Sequence, residues 1–397
     1  MTVYLHKPSV ISPLGRGLDE HIRRLLDDTK SPLSFSQDWI QDKNIMVGKA
    51  PYHQPFPDHT PDIHRTYNNQ LLWNAVIDIK PEIDALIQEY ESHRIGIVVG
   101  TTNTGIENNI KAFDQYEQHQ SWEHSGYVHD FQLLSSPANF LSQMLEISGP
   151  SYVISTACTS SAKALISGKN LIESGICDAV ICAGVDVLSR LSINGFHSLE
   201  ALSKGQNLPF SKDRDGINIG EAAVVFILSK KSSGMALLGD GGSSDGYHMS
   251  SPCPQATGAI LAIQEALNKG HLNPNDIAWI NLHGTGTQLN DSMESHAIHE
   301  IFGDQIPCTS TKYQTGHTLG AAGALEAAFV WGVMDRTLNP EGKIPNHVSC
   351  EYDPNIDQIC LAHQHYLPSN QARIGLSASF AFGGSNAILI IGEPQHA

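Results

Sequence analysis

Cys158 stands in a setting that can turn a cysteine into a nucleophile. It lies in the polar turn S-T-A-C-T-S-S at residues 155–161, after a short β-branched and aromatic run and before apolar residues at helical spacing from Ala162. The pattern predicts a buried strand, a tight turn and a helix. A thiol in the first turn of a helix lies beside unpaired N–H groups and the positive end of the helix dipole. Both should favour the reactive thiolate.

A lone cysteine is more often a packing residue, so a catalytic role needs partners elsewhere in the chain. Two histidines are candidates. His283 follows an apolar strand in N-L-H-G-T-G-T-Q-L-N-D, and His317 precedes a Gly/Ala-rich segment in S-T-K-Y-Q-T-G-H-T-L-G-A-A-G. We expect His317 to begin a helix, which would lower its pKa and keep the ring neutral. A nucleophile with two neutral N–H donors suits attack on a thioester and stabilisation of an enolate.

Charged and hydroxyl side chains lie close to these histidines in the sequence. Lys312 and Glu326 flank His317 in apolar surroundings, where charges are usually paired. Thr285 and Thr287 offer hydroxyls along the loop after His283. A phosphate-binding loop is the rival interpretation of the glycines there. It is disfavoured because no helix is expected to follow directly and no lysine follows the glycines.

The last motif, S-A-S-F-A-F-G-G-S-N-A at residues 377–387, places Phe380 and Phe382 beside a Gly-Gly turn. Two aromatic rings next to flexible backbone indicate a hinged, apolar lid with accessible backbone N–H groups.

Composition narrows the classes of function. The 397 residues carry a net charge of −17, which disfavours nucleic acid or an anionic membrane as the main partner. No apolar stretch approaches the roughly 20 residues of a membrane span, and no signal-peptide pattern is present. Seven cysteines without a C-x-x-C motif indicate a reducing cytoplasm. The 20 histidines include His119, His124 and His129, whose spacing of five fits no common metal site, so no metal is expected.

The order of elements predicts an α/β protein whose second half repeats the first. Apolar strands at 94–100 and 277–282 run into T-T-N-T-G and H-G-T-G-T. Polar turns precede helices at 155–172 and again at 310–328. We assign 1–234 to an N-terminal half that carries the nucleophilic cysteine, and 235–397 to a C-terminal half that carries the two histidines and the Phe-Gly-Gly loop. No flexible linker separates them, so one fused unit is expected.

Four ordered motifs carry a resemblance to a known family. T-A-C-T-S-S, H-G-T-G-T-Q-L-N-D, S-T-K-Y-Q-T-G-H-T-L-G-A-A-G and F-A-F-G-G-S-N resemble those of the elongating β-ketoacyl-[acyl carrier protein] synthases, condensing enzymes of the thiolase-like superfamily. The resemblance extends from about Arg94 to the end of the chain. It implies an acyltransferase with a five-layer α/β/α/β/α fold, made of two similar halves and normally dimeric.

The resemblance also implies the roles of the reacting residues. Cys158 would be acylated, and His283 and His317 would bind the malonyl thioester carbonyl during decarboxylation. Backbone N–H groups of Cys158 and Phe382 would form an oxyanion hole. Phe382, beside Phe380, would gate the acyl pocket.

The implied supporting residues surround this centre. Lys312 and Glu326 would form a charged pair, and Thr285 and Thr287 would hydrogen-bond a phosphopantetheine arm. The resemblance implies an acyl carrier protein as partner, with its phosphopantetheine as the only prosthetic group involved. No cofactor of the synthase itself is expected.

Several alternatives remain at this point. Thiolases use a second cysteine near the C-terminus, and none follows Gly383-Gly384. Initiating synthases carry asparagine in place of His317. Non-catalytic chain-length subunits lack the cysteine. Glu200 stands ahead of A-L-S, where the family often has a basic residue, and the N-terminal motif lacks the usual glycines. The resemblance implies decarboxylative condensation in type II fatty acid or polyketide/polyene elongation, and these departures suggest a specialised aryl polyene or polyketide pathway. The assembly stays open between a homodimer and a heterodimer in which this chain is the catalytic subunit beside a chain-length-factor-like partner.

Overall fold

The computed structural model describes residues 1–27, 30–51 and 54–394. Within these ranges the strands are β1 Tyr4–Leu5, β2 Ser9–Ser12, β3 Gly15–Arg16, β4 Ser34–Ser36, β5 Ile45–Gly48, β6 Ile95–Gly100, β7 Ser151–Ile154, β8 Ala179–Asp186, β9 Ile219–Gly220, β10 Ala222–Ser229, β11 Met235–Ser244, β12 Trp279–Asn281, β13 Cys308–Thr309, β14 Ile374–Ala381 and β15 Ser385–Gly392. The α-helices are α1 Leu18–Leu26, α2 Tyr67–Asp78, α3 Lys80–Glu89, α4 Ile110–His119, α5 Ser136–Leu145, α6 Ser160–Glu173, α7 Arg190–Ser198, α8 Thr257–Gly270, α9 Gln288–Phe302, α10 Lys312–Thr315 and α11 Ala322–Met334.

The main strands form two sets of five with the same order and the same directions. One set runs β7-β6-β8-β10-β2 and the other β13-β12-β14-β15-β11, and short β1 joins them by pairing with both β10 and β11. In each set the first three strands are parallel, and the last two pair antiparallel to their neighbours. The predicted internal repeat is therefore confirmed.

Alternation along the strands divides the core into layers, because neighbouring side chains on a strand face opposite ways. On β6, Val98 joins a cluster between the two sheets, whereas Ile97 joins one under α2 and α5. On β15, Leu389 faces the space between the sheets and Ile388 packs with α8 and α9. The layers are helices, sheet, helices, sheet, helices, which is the expected five-layer α/β/α/β/α fold.

Helices α6 and α11 form the middle layer. Every residue of α11 is buried, and ten of its thirteen residues are Ala, Gly, Val, Leu or Phe, as expected for a helix enclosed on all sides. The two helices touch closely, since a Cβ added at Gly323 would lie 2.7 Å from the backbone nitrogen of Ala162. Cys158 precedes α6 and His317 precedes α11. The contact between these helices therefore brings the two predicted site segments together.

Most predicted elements are present, but β7 and the segment after H-G-T-G-T differ from the prediction. The strand before Cys158 is the edge strand β7, and its residues are only half-buried because β6 is its one strand neighbour in the described chain. A helix does follow H-G-T-G-T directly, since α9 begins at Gln288. The sequence pattern of α9 is weak because its buried face includes the polar residues Asp291, Glu294 and Ser295, whereas Leu289 is exposed.

Two global features of the described ranges bear on the predictions. All seven cysteines lie within them and none is in a disulfide. None of the described helices has the length and apolarity that crossing a membrane requires. Residues 395–397, assigned to the C-terminal half, lie outside the described residues.

Candidate active site

Cys158 lies at the tip of a strained turn between β7 and α6. Ala157 before it has a φ of +52°, which costs a non-glycine residue roughly 1–2 kcal/mol. The turn is held by Ser160, whose hydroxyl accepts the N–H of Thr156 at 2.9 Å and donates to the carbonyl of Ala157 at 2.6 Å. Helix α6 begins at Ser160, two residues past the thiol. The cysteine thus precedes the helix rather than occupying its first turn.

Burial dominates the electrostatics of Cys158. It raises the pKa of the thiol to about 12, although Lys312 opposes the shift. Backbone N–H groups of Cys158 and Phe382 also lie against the sulfur and lower the pKa slightly. The prediction of a thiolate favoured by the helix terminus is therefore wrong, because loss of solvent outweighs the helix and the N–H groups. The same two N–H groups are placed to receive negative charge that develops beside the sulfur.

His317 is fixed by backbone bonds on both sides. Its N–H donates to the carbonyl of Asn218 at 2.7 Å, and its own carbonyl accepts the N–H of Gly220 at 3.0 Å. The Nδ1 accepts the backbone N–H of Leu319 at 3.2 Å, so the proton resides on Nε2. That nitrogen lies 3.1 Å from the Sγ of Cys158. His317 is therefore a neutral N–H donor aimed at the thiol of Cys158.

The position of His317 differs from the prediction in one respect. The histidine does not begin a helix, because the short helix α10 precedes it and α11 starts only at Ala322. Its pKa is nevertheless far below the ordinary value, first because the ring is buried and second because Lys312 is near. The expected neutral ring is present, for a different physical reason.

His283 is held by helix α9 from behind. Glu294 accepts its backbone N–H at 2.6 Å and that of Gly284 at 2.7 Å. The ring Nδ1 lies 3.3 Å from the ammonium of Lys312, which can only donate, so Nε2 carries the ring proton. Burial, followed by Lys312 and His317, lowers the pKa of this ring far below its ordinary value. His283 and His317 meet edge to face with ring centres 5.3 Å apart.

Lys312 and Glu326 form the predicted pair in the interior. Their side chains are 1% and 3% exposed, and Lys312 donates to Glu326 and to the carbonyl of His283. Burial raises the pKa of Glu326 to about 7, with Lys312 opposing the shift. The pair thus connects α11 with the loop of His283.

The side chains of Cys158, His283 and His317 converge at one point. The Sγ of Cys158 and a ring nitrogen of each histidine lie within 4.8 Å of one another. Thiol and imidazole are also ligands for zinc-like ions. Here the inward-facing nitrogens are N–H groups, because Leu319 and Lys312 engage both Nδ1 atoms. An N–H has no lone pair for a metal, so the arrangement suits hydrogen-bond donation.

A cavity of about 350 Å³ leads from the surface to this centre. Thr285 and Thr287 line it and hydrogen-bond each other through their hydroxyls at 2.9 Å. Phe380 is buried with its ring 6.1 Å from that of His283. Phe382 is 40% exposed and contacts the ring of Phe196 at 5.7 Å. Seven of the nine predicted site residues line this cavity, and the pair Lys312 and Glu326 lies behind His283.

Sequence reasoning missed three buried acidic residues that hold the site loops. Glu294 supports His283. Asp291 accepts the N–H groups of Thr285 at 3.1 Å and Gly286 at 3.2 Å. Asp186, at the end of β8, binds the loop after β6. A signal for Asp186 was available, because it is an acid directly after seven uncharged residues of a buried strand.

Comparisons with known proteins show which family the chain resembles. Family models described as the N-terminal and C-terminal domains of beta-ketoacyl synthase match residues 66–233 and 235–345. A 3-oxoacyl-[acyl-carrier-protein] synthase 2 of Rhizobium meliloti is 30% identical over 421 aligned residues, covering 96% of each chain. The enzyme of the same name from Synechocystis is 31% identical over 338 residues, covering 78% of this chain and 77% of the relative.

Solved structures extend the likeness. A ketosynthase in complex with its chain length factor from Xenorhabdus doucetiae aligns with a TM-score of 0.92 at 40% identity, covering 99% of this chain and 98% of that one. The ishigamide ketosynthase/chain length factor aligns with a TM-score of 0.88 at 25% identity, covering 99% of both chains.

Proposed function

The chain belongs to the β-ketoacyl synthase family, and on that premise we propose that it extends an acyl chain by two carbons through decarboxylative condensation. The observation that carries this proposal is the convergence of one thiol and two imidazole N–H groups at the end of a cavity. A nucleophile that can store an acyl group, beside donors for an enolate, is what such a reaction requires.

The first half-reaction transfers the acyl group to Cys158. The thiol attacks the carbonyl carbon of an acyl-carrier thioester, and the backbone N–H groups of Cys158 and Phe382 stabilise the oxyanion. The carbon–sulfur bond to the carrier then breaks. The proton of Cys158 ends on the departing carrier thiol, so the exchange needs no net proton. An exchange without a net proton suits Cys158, because burial raises the pKa of its thiol to about 12.

The second half-reaction forms the carbon–carbon bond. A malonyl-carrier thioester loses CO2, and its thioester oxygen gains the negative charge of an enolate. The Nε2–H groups of His283 and His317 donate to that oxygen. The enolate carbon attacks the acyl-enzyme, the bond to Cys158 breaks, and the thiolate takes up one proton. Both rings suit this role because burial keeps them neutral, with the proton on Nε2.

The remaining cavity residues suit the delivery of substrates. Thr285 and Thr287 line the path to Cys158 and present hydroxyls that can hydrogen-bond a phosphopantetheine arm. Phe382 stands half-exposed after β14, where its ring can gate the acyl chain. The reaction as written needs only the carrier's own prosthetic group, so we propose an acyl carrier protein as partner and no cofactor of the synthase. Seven unpaired cysteines favour a cytoplasmic location.

The test is the mass of the protein after incubation with an acyl-carrier thioester. We expect one acyl group on the peptide that contains Cys158, and none there in Cys158→Ala. Addition of malonyl-carrier should then release a β-ketoacyl-carrier two carbons longer. Acylation at another residue, or an unchanged acyl load in Cys158→Ala, would defeat the proposal.

A second candidate function concerns the assembly. Two solved relatives, one 40% identical, are ketosynthases described with chain length factors. This favours a heterodimer in which the present chain is the catalytic subunit, within a specialised polyene or polyketide pathway. Light scattering of the chain expressed alone distinguishes the assemblies. An active homodimer of about 86 kDa supports self-association. Activity only after co-expression with a related chain that lacks the cysteine supports the heterodimer.

A further inference from the structure

Asp186 is a buried carboxylate that the reaction scheme leaves unused. It ends β8, is 0% exposed, and has no lysine, arginine or histidine bonded to it among the described residues. Burying a charge costs free energy unless hydrogen bonds compensate. The hydrogen bonds that Asp186 accepts therefore show which segments it stabilises.

The oxygens of Asp186 collect donors from both halves of the chain. Oδ1 accepts the Thr101 hydroxyl at 2.8 Å and the N–H groups of Thr102 and Asn103 at 3.0 and 3.2 Å. Oδ2 accepts the Thr102 hydroxyl at 2.7 Å. From the other half, the N–H of Gly320 donates to Oδ2 at 2.6 Å, the shortest of the set. The carboxylate thus joins the loop after β6 to the segment that carries His317.

The hydrogen bond from Gly320 to Asp186 lies next to the hydrogen bond that fixes the tautomer of His317. Leu319 has a φ of +52°, and its N–H is the donor to the Nδ1 of His317. A left-handed leucine is strained and persists only where its surroundings hold it. The hydrogen bond from the next residue, Gly320, to Asp186 stabilises this conformation of Leu319. Release of Gly320 would let Leu319 relax and withdraw its N–H, leaving the ring proton free to move to Nδ1.

We infer that Asp186 is a positioning residue for His317, which keeps the proton of that ring on the nitrogen facing Cys158. The inference rests on the proposed function, because it assigns to Asp186 the orientation of an enolate donor. It acts through Gly320 and Leu319 and does not touch substrate. Its loss should slow condensation, which needs the His317 N–H, more than acylation, which uses the backbone N–H groups.

The test compares three single variants and the double variant that combines Asp186→Asn with Gly320→Ala. Asp186→Asn keeps the shape but removes the charge and replaces one of the two acceptor oxygens with an NH2 group, so the bond from Gly320 is weakened or lost. Gly320→Ala breaks the same bond from the other side, since its Cβ would lie 2.7 Å from Oδ2 of Asp186. Thr101→Val is the matched control. It removes one donor to Asp186 and leaves the bond to Gly320 intact.

Acylation of Cys158 and release of the acyl group by malonyl-carrier are timed separately in each variant. We expect Asp186→Asn and Gly320→Ala to condense about tenfold or more slowly, with acylation within about threefold of the unsubstituted protein. Thr101→Val should keep the ratio of the two rates. The double variant should be no slower than the slower single variant, because both substitutions break one bond.

Three results would overturn the inference while leaving the proposed function standing. They are equal slowing of both half-reactions in Gly320→Ala, the same uneven slowing in Thr101→Val, and unchanged condensation in Asp186→Asn. If Asp186→Asn does not fold, Gly320→Ala alone decides. Failure of the unsubstituted protein to acylate or condense would instead refute the proposed function.

Discussion

Replacing Lys312 with methionine should separate stability from catalysis. Lys312 is 1% exposed and serves both Glu326 and the ring of His283. Methionine has a similar length and leaves the Glu326 carboxylate buried without its cation. Removal of one partner of a buried ion pair costs about 3–5 kcal/mol. With Lys312 present, burial already raises the pKa of Glu326 to about 7, above its ordinary value of 4.5. Because Glu326 is mostly neutral at low pH, Lys312→Met should lower the free energy of unfolding less at pH 6 than at pH 8.

The double variant Lys312→Met with Glu326→Leu removes both charges. Replacement of a buried pair by apolar residues is often neutral, so the free energy of unfolding should return to within about 1–2 kcal/mol of the original. Condensation should not return. The Nδ1 of His283 has then lost its donor, and the ring is free to carry its proton there, away from substrate. We expect condensation to remain at least about tenfold slow, the order of magnitude for weakening one donor to a developing anion.

Urea denaturation followed by tryptophan fluorescence gives the stabilities at pH 6 and pH 8, and release of the acyl group by malonyl-carrier gives the rate. Two outcomes would refute the reasoning. A double variant as unstable as Lys312→Met would show that the unpaired carboxylate is not the source of the loss. A double variant that condenses at the original rate would show that Lys312 does not set the proton of His283.

Three further predictions concern the surroundings of the site. Gly100→Ala should lower the free energy of unfolding by about 1–3 kcal/mol or more, because its Cβ would lie 2.3 Å from the backbone of Ser161. The control is Gly195→Ala in helix α7, where the added Cβ meets nothing within 4 Å, and it should raise the free energy of unfolding by about 0.5–1 kcal/mol. If urea denaturation shows the same change for Gly100→Ala and Gly195→Ala, the packing argument is wrong. Alkylation of Cys158 by iodoacetamide, followed by peptide mass spectrometry, should still accelerate at pH 10, since burial raises the thiol pKa to about 12; a plateau below pH 8 is inconsistent with that. Burial raises the pKa of Glu294 from 4.5 to about 8, so the folded protein keeps this proton to a higher pH than the unfolded chain does. The contribution of Glu294 to the free energy of unfolding is therefore fully present below pH 4.5 and is lost as the pH rises through 8. Glu294→Gln should flatten the urea midpoint between pH 5 and 9, and parallel profiles would exclude this carboxyl as the cause.

The sequence predicted the site well because its signals are local. The turn at Cys158 follows β7, the loop at His283 follows β12, and the segments of Cys158 and His317 lead into α6 and α11, which contact each other. Apolar spacing indicated α6, whereas α11, which is buried on every side, was indicated by the Gly- and Ala-rich segment after His317. The internal repeat and the order of the elements together therefore indicate which side chains lie close to one another.

What the sequence could not provide depends on burial and on long-range bonds. The pKa of Cys158 was predicted in the wrong direction, because the helix dipole can be read locally but the loss of solvent around the sulfur cannot. The half-exposure of β7 follows from its place at the sheet edge, which no property of residues 151–154 reveals. Asp186 acquires its partners from residues 101–103 and 320, and only the packed fold brings these together.

The central claim is that one thiol stores the acyl group while two imidazole N–H groups stabilise the enolate. It is tested most directly by preparing the acyl-enzyme, adding malonyl-carrier, and following the intact mass of the protein over time. The unsubstituted protein should lose its acyl group as CO2 is released. His317→Ala should become acylated on Cys158 and then keep the acyl group after malonyl-carrier is added. If His317→Ala discharges its acyl group into a β-ketoacyl product at the original rate, the account is wrong.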